Sequence, residues 1–218
     1  MNYTALTTAI HTYTESQETA FVANDDLIIE LAEKKIYRAA DLNVARKYAT
    51  STITVADPFV TLPTDVVVIR SVQLIDTLTN PGTTTREFLL QKDPSFMDDF
   101  TGDRTDSGTP RYYAHYNDTT VMVAPNPDQA YTLEIAYTYR PAQIASGNTT
   151  TWLGDNAPDV LLYGCLLEAS RFLKEEPDIF QMYEKSYAEA FQGLVMEENL
   201  RNRTDSYRER EIKLSPGG

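Results

Sequence analysis

Apolar side chains recur at helical spacing in the first part of the chain. The residues that follow one another at intervals of three and four are Tyr3, Leu6, Ile10 and Tyr13. This spacing places them on one face of a helix, which we predict over residues 3–22. Because a single apolar face needs a partner surface, the helix is expected to pack against other parts of the chain.

A second helix is predicted directly after the first. Asn24 is the candidate N-cap, and Asp25 and Asp26 are favourably placed near the positive end of the helix dipole. The apolar face predicted for this helix consists of Ile28, Ala32, Ile36 and Ala39 or Ala40. The charged residues predicted to lie off that face are Glu30, Glu33 and Lys34. A short helical piece over residues 42–49 is expected to follow.

The period of the pattern changes after the first fifty residues. Residues 50–141 are rich in Thr, Val, Ile and Tyr and are interrupted by Pro, Gly, Asn and Asp, which is typical of short strands and turns. The first predicted strands are 53–55, 59–62, 66–75 and 86–90. A loop with one helical turn around residues 95–100 precedes a predicted hairpin of residues 111–116 and 120–123, which turns at Asn117-Asp118.

The clearest strand covers residues 131–139. Every second position of this segment is apolar or aromatic, namely Tyr131, Leu133, Ile135, Tyr137 and Tyr139. The alternate positions hold Thr, Glu and Ala, so one face is apolar and the other is mixed. This alternation predicts a half-buried antiparallel strand, and we expect the hairpin and this strand to form a meander.

Helical patterns return near residue 155. Asn156 is predicted to cap a helix, and Pro158 suits its first turn. Residues 160–173 are apolar nearly all round, which is typical of a helix that is buried on several sides. A last helix is predicted to begin at Pro177, and its apolar stripe consists of Phe180, Tyr183, Tyr187, Ala190 or Phe191, and Leu194.

These elements predict an α+β fold. Helices from the N- and C-terminal parts are expected to form one bundle, with an antiparallel β-rich layer inserted between them. Residues 201–218 lack periodicity and are predicted to form an extended tail. The predicted domains are a helical bundle of residues 1–49 and 155–200, an inserted β-rich domain of residues 50–154, and the C-terminal tail.

Composition and charge narrow the classes of partner. The chain has 218 residues and a formal net charge of -13, which is opposite to the basic balance of a typical nucleic-acid binder. Residues 201–218 differ, because they hold five basic and three acidic side chains. No apolar run approaches the roughly 20 residues that cross a bilayer, and Met1 to Ile10 lacks a secretory pattern. We therefore expect a soluble protein that is made in a cytoplasm and has no membrane partner.

Residues that could carry chemistry are few. A lone Cys165 in an apolar segment predicts a buried thiol, and His11 and His115 are predicted to be structural. Phosphate-binding glycine loops, metal-ligand motifs and nucleophile motifs do not occur, so no catalytic, cofactor-binding or metal residue is predicted. The adjacent acids Asp98-Asp99 and Glu175-Glu176 leave a virion-associated cell-wall glycosidase as one alternative. Abundant tyrosine leaves a carbohydrate-binding β module of a virion fibre as another.

Several short motifs occur in an order that resembles a known family. They are Leu62-Pro63-x-Asp65 before a strand, Thr109-Pro110-Arg111-Tyr112-Tyr113, Val123-Ala124-Pro125-Asn126-Pro127, Ala136-Tyr137-Thr138-Tyr139-Arg140-Pro141, the helix start Asp159-Val160-Leu161-Leu162-Tyr163, and Tyr183-Glu184-Lys185-Ser186-Tyr187. In this order they resemble the head-to-tail adaptors of podoviruses, the tail tubular protein A family.

The resemblance implies a non-enzymatic structural protein of the virion. It implies a dodecameric ring of this chain below the portal protein, with the helical part toward the portal. The β-rich part would face the tail nozzle, of the tail tubular protein B type, and the tail fibres. DNA would pass through the channel without specific binding, since an acidic wall repels phosphates.

The same resemblance implies that the C-terminal segment docks into the portal. The basic residues expected to pair with acidic portal grooves are Arg201, Arg203, Arg208 and Arg210. The apolar anchors expected beside them are Tyr207, Ile212 and Leu214. A flexible basic tail can be ordered on docking and still cover a large surface.

Overall fold

The computed structural model describes residues 1–77, 84–102 and 106–202, which form two compact units. The helical unit contains Met1–Val44 and the described residues from Pro141 onward, and the β unit is Ala45–Arg140. The predicted α+β class is confirmed: helices from both ends of the chain pack together and the β-rich segment is inserted between them. The units divide after residues 44 and 140, whereas the sequence predicted limits after residues 49 and 154.

The described helices and strands follow one another along the chain in a simple order. The helices are α1 (Tyr3–Tyr13), α2 (Thr19–Val22), α3 (Asp25–Ala39), α4 (Pro94–Thr101), α5 (Trp152–Asn156), α6 (Pro158–Leu173) and α7 (Pro177–Asn202). The strands are β1 (Arg46–Ile53), β2 (Phe59–Thr61), β3 (Val66–Asp76), β4 (Thr85–Phe88), β5 (Leu90–Gln91), β6 (Ser107–Gly108), β7 (Tyr112–Asn117), β8 (Thr120–Ala124), β9 (Asn126–Pro127) and β10 (Tyr131–Tyr139).

Helix α6 is the centre of the helical unit and contacts α1, α3, α5 and α7. Its apolar side chains are buried on several sides, as the sequence predicted. Gly164 lies where α6 meets its neighbours: a Cβ atom there would be 3.4 Å from Tyr187, 3.5 Å from Ala32 and 3.7 Å from Ile36. The absence of a side chain therefore lets α3 and α7 approach α6 closely.

The first helix ends earlier than predicted. Helix α1 stops at Tyr13, the chain turns at Glu15 with a φ of 48°, and α2 begins at Thr19. The five residues after Tyr13 contain no apolar side chain that could extend a buried face. A longer helix α1 would therefore gain no further packing, and packing of an apolar face is what stabilises most helices in proteins.

Two predicted asparagine caps are wrong. Neither Asn24 at the start of α3 nor any side chain at the start of α6 makes a capping hydrogen bond. Instead, the Asn24 amide donates to the Ala20 carbonyl at 2.7 Å. Asn156 ends α5, and its amide donates to the Trp152 carbonyl at 3.0 Å. Each amide is used by the preceding helical turn, and Pro158 occupies the first turn of α6 as expected.

The β unit contains two four-stranded sheets that share one apolar core. The strand orders are β1-β10-β3-β4 and β2-β8-β7-β5, and β6 pairs with β9 separately. Pairing is antiparallel except for the short pairs β5-β7 and β6-β9, which are parallel. Buried side chains of β3 and β10, from the first sheet, lie in the same cluster as those of β7 and β8, from the second.

The pairing of the strands corrects two predictions, one of a meander and one of a helix. Strand β10 pairs with β1 and β3, while the hairpin β7-β8 pairs with β2 and β5, so the predicted meander is wrong. The helical piece predicted over residues 42–49 is a single 3-10 turn at Asn43–Ala45, followed directly by β1. Alternation identifies a strand but does not indicate which strands pair with it. Residues 46–49, predicted to be helical, belong to strand β1 because they pair with β10.

Candidate functional site

Helix α7 continues through the first two residues of the predicted tail. Arg201 lies in its last turn, where the guanidinium donates to Glu198 at 2.7 Å. Glu198 is only 4% exposed, and its carboxylate also accepts a hydrogen bond from the backbone N–H of Asn43 at 3.0 Å. Arg201 is thus held at the negative end of the helix. The other predicted docking residues lie outside the described residues: Arg203, Tyr207, Arg208, Arg210, Ile212 and Leu214.

A second buried glutamate lies on α3. Glu33 is 3% exposed, and its Oε2 accepts a hydrogen bond from the Ile144 amide at 3.1 Å. The Thr151 side chain also hydrogen-bonds to this carboxyl, whereas Oε1 has no partner among the described residues. Burial dominates over both hydrogen bonds and raises the pKa of Glu33 from 4.5 to about 7.

These glutamates hold the two connections between the units onto the helical unit. Asn43 lies just before the β unit begins and Ile144 lies just after it ends. Each amide is bound by a carboxylate from a helix that is distant in sequence. Neither role was predicted from the sequence, and Glu33 was predicted to lie off the buried face. Glu33 lies three residues before Ile36, and this helical spacing is the signal that could have placed Glu33 on the buried face.

Apolar side chains remain exposed on the outer sides of α3 and α7. Leu27 and Leu31 of α3 are 49% and 46% exposed. Met196 and Leu200, in the C-terminal half of α7, are 56% and 64% exposed. Each pair is separated by four residues, so its members lie side by side on one helix face. Exposed apolar side chains that lie together in this way are candidates for contacts with another protein.

Two grooves lie along α7 on different sides. One, of about 190 Å³, passes over Gly193 and is lined by carboxylates of Asp159, Glu189 and Glu197. The other, of about 490 Å³, is mainly apolar and is lined by Lys35, Leu167, Glu184, Tyr187, Ala188, Phe191, Gln192 and Val195. The C-terminal helix therefore presents an acidic groove and an apolar groove to solvent.

The first sheet of the β unit also exposes apolar side chains. Tyr48 on β1, Val68 on β3 and Phe88 on β4 are 73%, 56% and 60% exposed. Between the strands, Arg86 donates to Glu134 at 2.9 Å. The face thus combines aromatic, aliphatic and polar groups, a composition common in interfaces between proteins.

The candidate catalytic acids do not form an enclosed site. Asp98 and Asp99 are both exposed on α4. Glu175 accepts a hydrogen bond from the Ser170 hydroxyl at 2.8 Å and so joins α6 to the start of α7. A glycosidase requires one acid in apolar surroundings and a second carboxyl at a fixed distance across the scissile bond. Neither pair provides an observation that favours this reaction.

His11 and Cys165 have structural surroundings, whereas His115 does not. His11 lies 3.0 Å from the buried Asp25 carboxyl and packs against Phe21. His115 is exposed on β7 in the other unit. Cys165 is completely buried, and this burial raises the pKa of its thiol well above the ordinary value. A thiol in this setting is a poor nucleophile, which agrees with the predicted buried cysteine.

Within residues 1–77, 84–102 and 106–202, no group of three or more His, Cys, Asp or Glu side chains is arranged to hold a metal ion. In the same described ranges, no helix has the length and apolar character needed to cross a membrane.

Comparison with known proteins gives one family. The model of the SU10 adaptor protein family matches residues 1–211, which covers both units. No curated protein matches the chain. The family match agrees with the predicted adaptor at the level of a phage adaptor protein, and the tail tubular protein A type remains a prediction.

Proposed function

Because the chain belongs to the SU10 adaptor protein family and is therefore an adaptor of a phage virion, we propose that it joins the portal to the tail nozzle of a short-tailed phage. The observation that carries this proposal is that one adaptor family spans both the helical and the β unit. Membership of an adaptor family also favours a structural role over an enzymatic one.

We propose that the protein acts as a dodecameric ring of the tail tubular protein A type. A closed ring requires two different, complementary surfaces on each copy, so that each copy binds the next by the same contact. The exposed apolar faces of α3 and α7 supply candidate surfaces. The free chain would be a monomer or a loose oligomer, and the portal would template the ring.

The helical unit is proposed to face the portal, with the C-terminal segment as its docking element. Helix α7 ends within the helical unit at Asn202, so the remaining sixteen residues start from there. They combine the basic residues Arg203, Arg208 and Arg210 with the apolar residues Tyr207, Ile212 and Leu214. Arginine can bind carboxylates through two parallel hydrogen bonds, and a few buried anchors, often Tyr or Arg, supply most of the affinity of an interface.

The β unit is proposed to face the tail nozzle and the fibres. Its exposed Tyr48, Val68 and Phe88 form a mixed face suited to protein contacts. DNA would pass through the ring without specific binding, since the net charge of -13 opposes adhesion to phosphates. The site of action is the head-to-tail junction of the virion, after assembly in the host cytoplasm.

The portal contact is tested by deletion of the C-terminal segment. A chain that ends at Asn202 is expected to lose portal binding, with at least a tenfold increase in Kd, because loss of a few interface anchors costs about 2 kcal/mol or more. Co-purification with the cognate portal and electron microscopy of the mixture measure this loss, and the full chain should give a ring stacked on the portal.

The matched control removes only residues 215–218, which carry neither charge nor a large apolar side chain. This variant is expected to bind the portal like the full chain. Unchanged binding by the chain that ends at Asn202 would contradict the docking role of the segment. Absence of portal binding by the full chain would contradict the adaptor role itself.

A further inference from the structure

The outer faces of α3 and α7 carry matched patterns with identical spacing. The outward residues of α3, in chain order, are Leu27, Leu31, Lys34 and Arg38. The corresponding residues of α7 are Glu189, Gly193, Met196 and Leu200. Both sets follow intervals of four, three and four residues, which is the spacing of the contact positions in paired helices.

Neither face is covered by the part of the same chain that the structure describes. The buried residues of α3, among them Ile28, Ala32 and Ile36, lie on its other side and pack in the core of the helical unit. The same is true of Tyr187 and Leu194 on α7. The four large apolar residues of the two outer faces are between 46% and 64% exposed.

Gly193 has no evident role within the folded chain. It lies inside a helix, where glycine costs roughly 1 kcal/mol relative to alanine. A Cβ atom at this position would meet nothing within 4 Å, and the backbone does not adopt a positive φ. A glycine at such a position is useful where the backbone of another element approaches closely.

The charges of the two faces are complementary in one orientation. In an antiparallel arrangement, Leu27 lies opposite Leu200 and Leu31 lies opposite Met196. The long Lys34 side chain then crosses Gly193. At the far end, Arg38 meets Glu189, beside the carboxylate-lined groove.

A parallel arrangement of the two helices would not match apolar residues with apolar residues or opposite charges with each other. It would place Leu27 against Glu189 and Arg38 against Leu200. Arg38 has no ion-pair partner among the described residues, so a partner from another copy would not compete with an existing one. The Glu189 side chain is 71% exposed, and its carboxylate makes a long contact of 4.0 Å with the ammonium group of Lys185.

We propose that α3 of one copy packs antiparallel on α7 of the next copy, with Gly193 as the point of closest approach. The contact joins two different surfaces of the same chain and therefore propagates from copy to copy. This inference rests on the proposed ring and names the subunit contact that builds it.

Disulfide trapping tests the contact directly, because the native Cys165 is completely buried and does not interfere. Mixed with the cognate portal, the double variant Leu31→Cys/Met196→Cys is expected to give a ladder of dimers, trimers and larger products on mild oxidation in non-reducing gels. An equal mixture of the two single variants should stop at the dimer, since each copy then has one reactive end. Absence of products above the monomer in the double variant would overturn the contact.

Charge reversal gives an independent measurement on intact assemblies. Arg38→Glu is expected to reduce assembly on the cognate portal, measured by mass photometry of the mixture, at least tenfold, and the added change Glu189→Arg is expected to restore it. Arg70→Glu, an exposed reversal in the β unit, is the control and should leave assembly unchanged. Wild-type oligomers trapped by a lysine cross-linker, without the cysteine ladder, would refute this contact and leave the ring standing. Monomers in both assays, although the portal is present, would refute both the contact and the ring.

Discussion

Glu33→Gln is expected to make the helical unit about 3 kcal/mol more stable at pH 8 while leaving its stability near pH 4.5 almost unchanged. The pKa of Glu33 is raised from 4.5 to about 7 in the folded chain. Between these values the unfolded chain has released the proton and the folded chain retains it. The free energy of unfolding therefore falls as the pH rises through this window, by about 1.4 kcal/mol per pH unit.

Glutamine removes this dependence because it stays neutral and keeps an oxygen that can accept from the Ile144 amide. The measurement is urea unfolding between pH 4.5 and 8, followed by the fluorescence of Trp152, which is the single tryptophan and belongs to the helical unit. Glu30→Gln on the same helix is the control, because Glu30 is partly exposed and paired with Lys34. An identical pH dependence in wild type and Glu33→Gln would contradict the prediction.

Gly164→Leu is expected to lower the stability of the helical unit by about 3 kcal/mol. The new side chain would enter the meeting point of α6 with α3 and α7, where Tyr187, Ala32 and Ile36 already lie in contact distance of a single Cβ atom. Overpacking of a dense core typically costs about 1–3 kcal/mol and sometimes more, which outweighs the gain in helix propensity.

Gly193→Leu is the matched control on α7. Apart from its own helical turn, the added Cβ atom meets nothing within 4 Å, so the isolated chain should gain up to about 1 kcal/mol from helix propensity. Thermal and urea unfolding, again followed by Trp152, distinguish the two glycines. Equal stabilities of the two variants would show that the helices around Gly164 can separate without penalty.

The contrast between these glycines bears on assembly as well as on folding. Gly164 allows helices of one chain to pack together, whereas Gly193 is proposed to allow a helix of another copy to approach. Gly193→Leu should therefore fold normally and lose assembly, which separates an effect on the subunit contact from an effect on stability. The two buried glutamates, by contrast, act within one chain, since they hold Asn43 and Ile144 onto the helical unit in every copy.

Much of the secondary structure could be predicted because it depends on local periodicity. The alternation over residues 131–139 identified β10, and the nearly uniform apolar pattern over 160–173 identified the buried helix α6. The identity of Asn24 and Asn156 suggested caps that do not form, because each side chain reaches a carbonyl of the preceding turn instead. Local patterns of this kind define an element but leave the use of its polar groups open.

The sequence by itself determined the α+β class, the helical ends with an inserted β segment, and the buried state of Cys165. Only the tertiary structure decided that β10 lies between β1 and β3, that Glu33 and Glu198 bind the two connections, and that α7 holds Arg201 in an ion pair. The physical reason is that periodicity is set by neighbouring residues. Strand partners, burial of a charge and the pKa of Glu33 depend on groups that are distant in sequence.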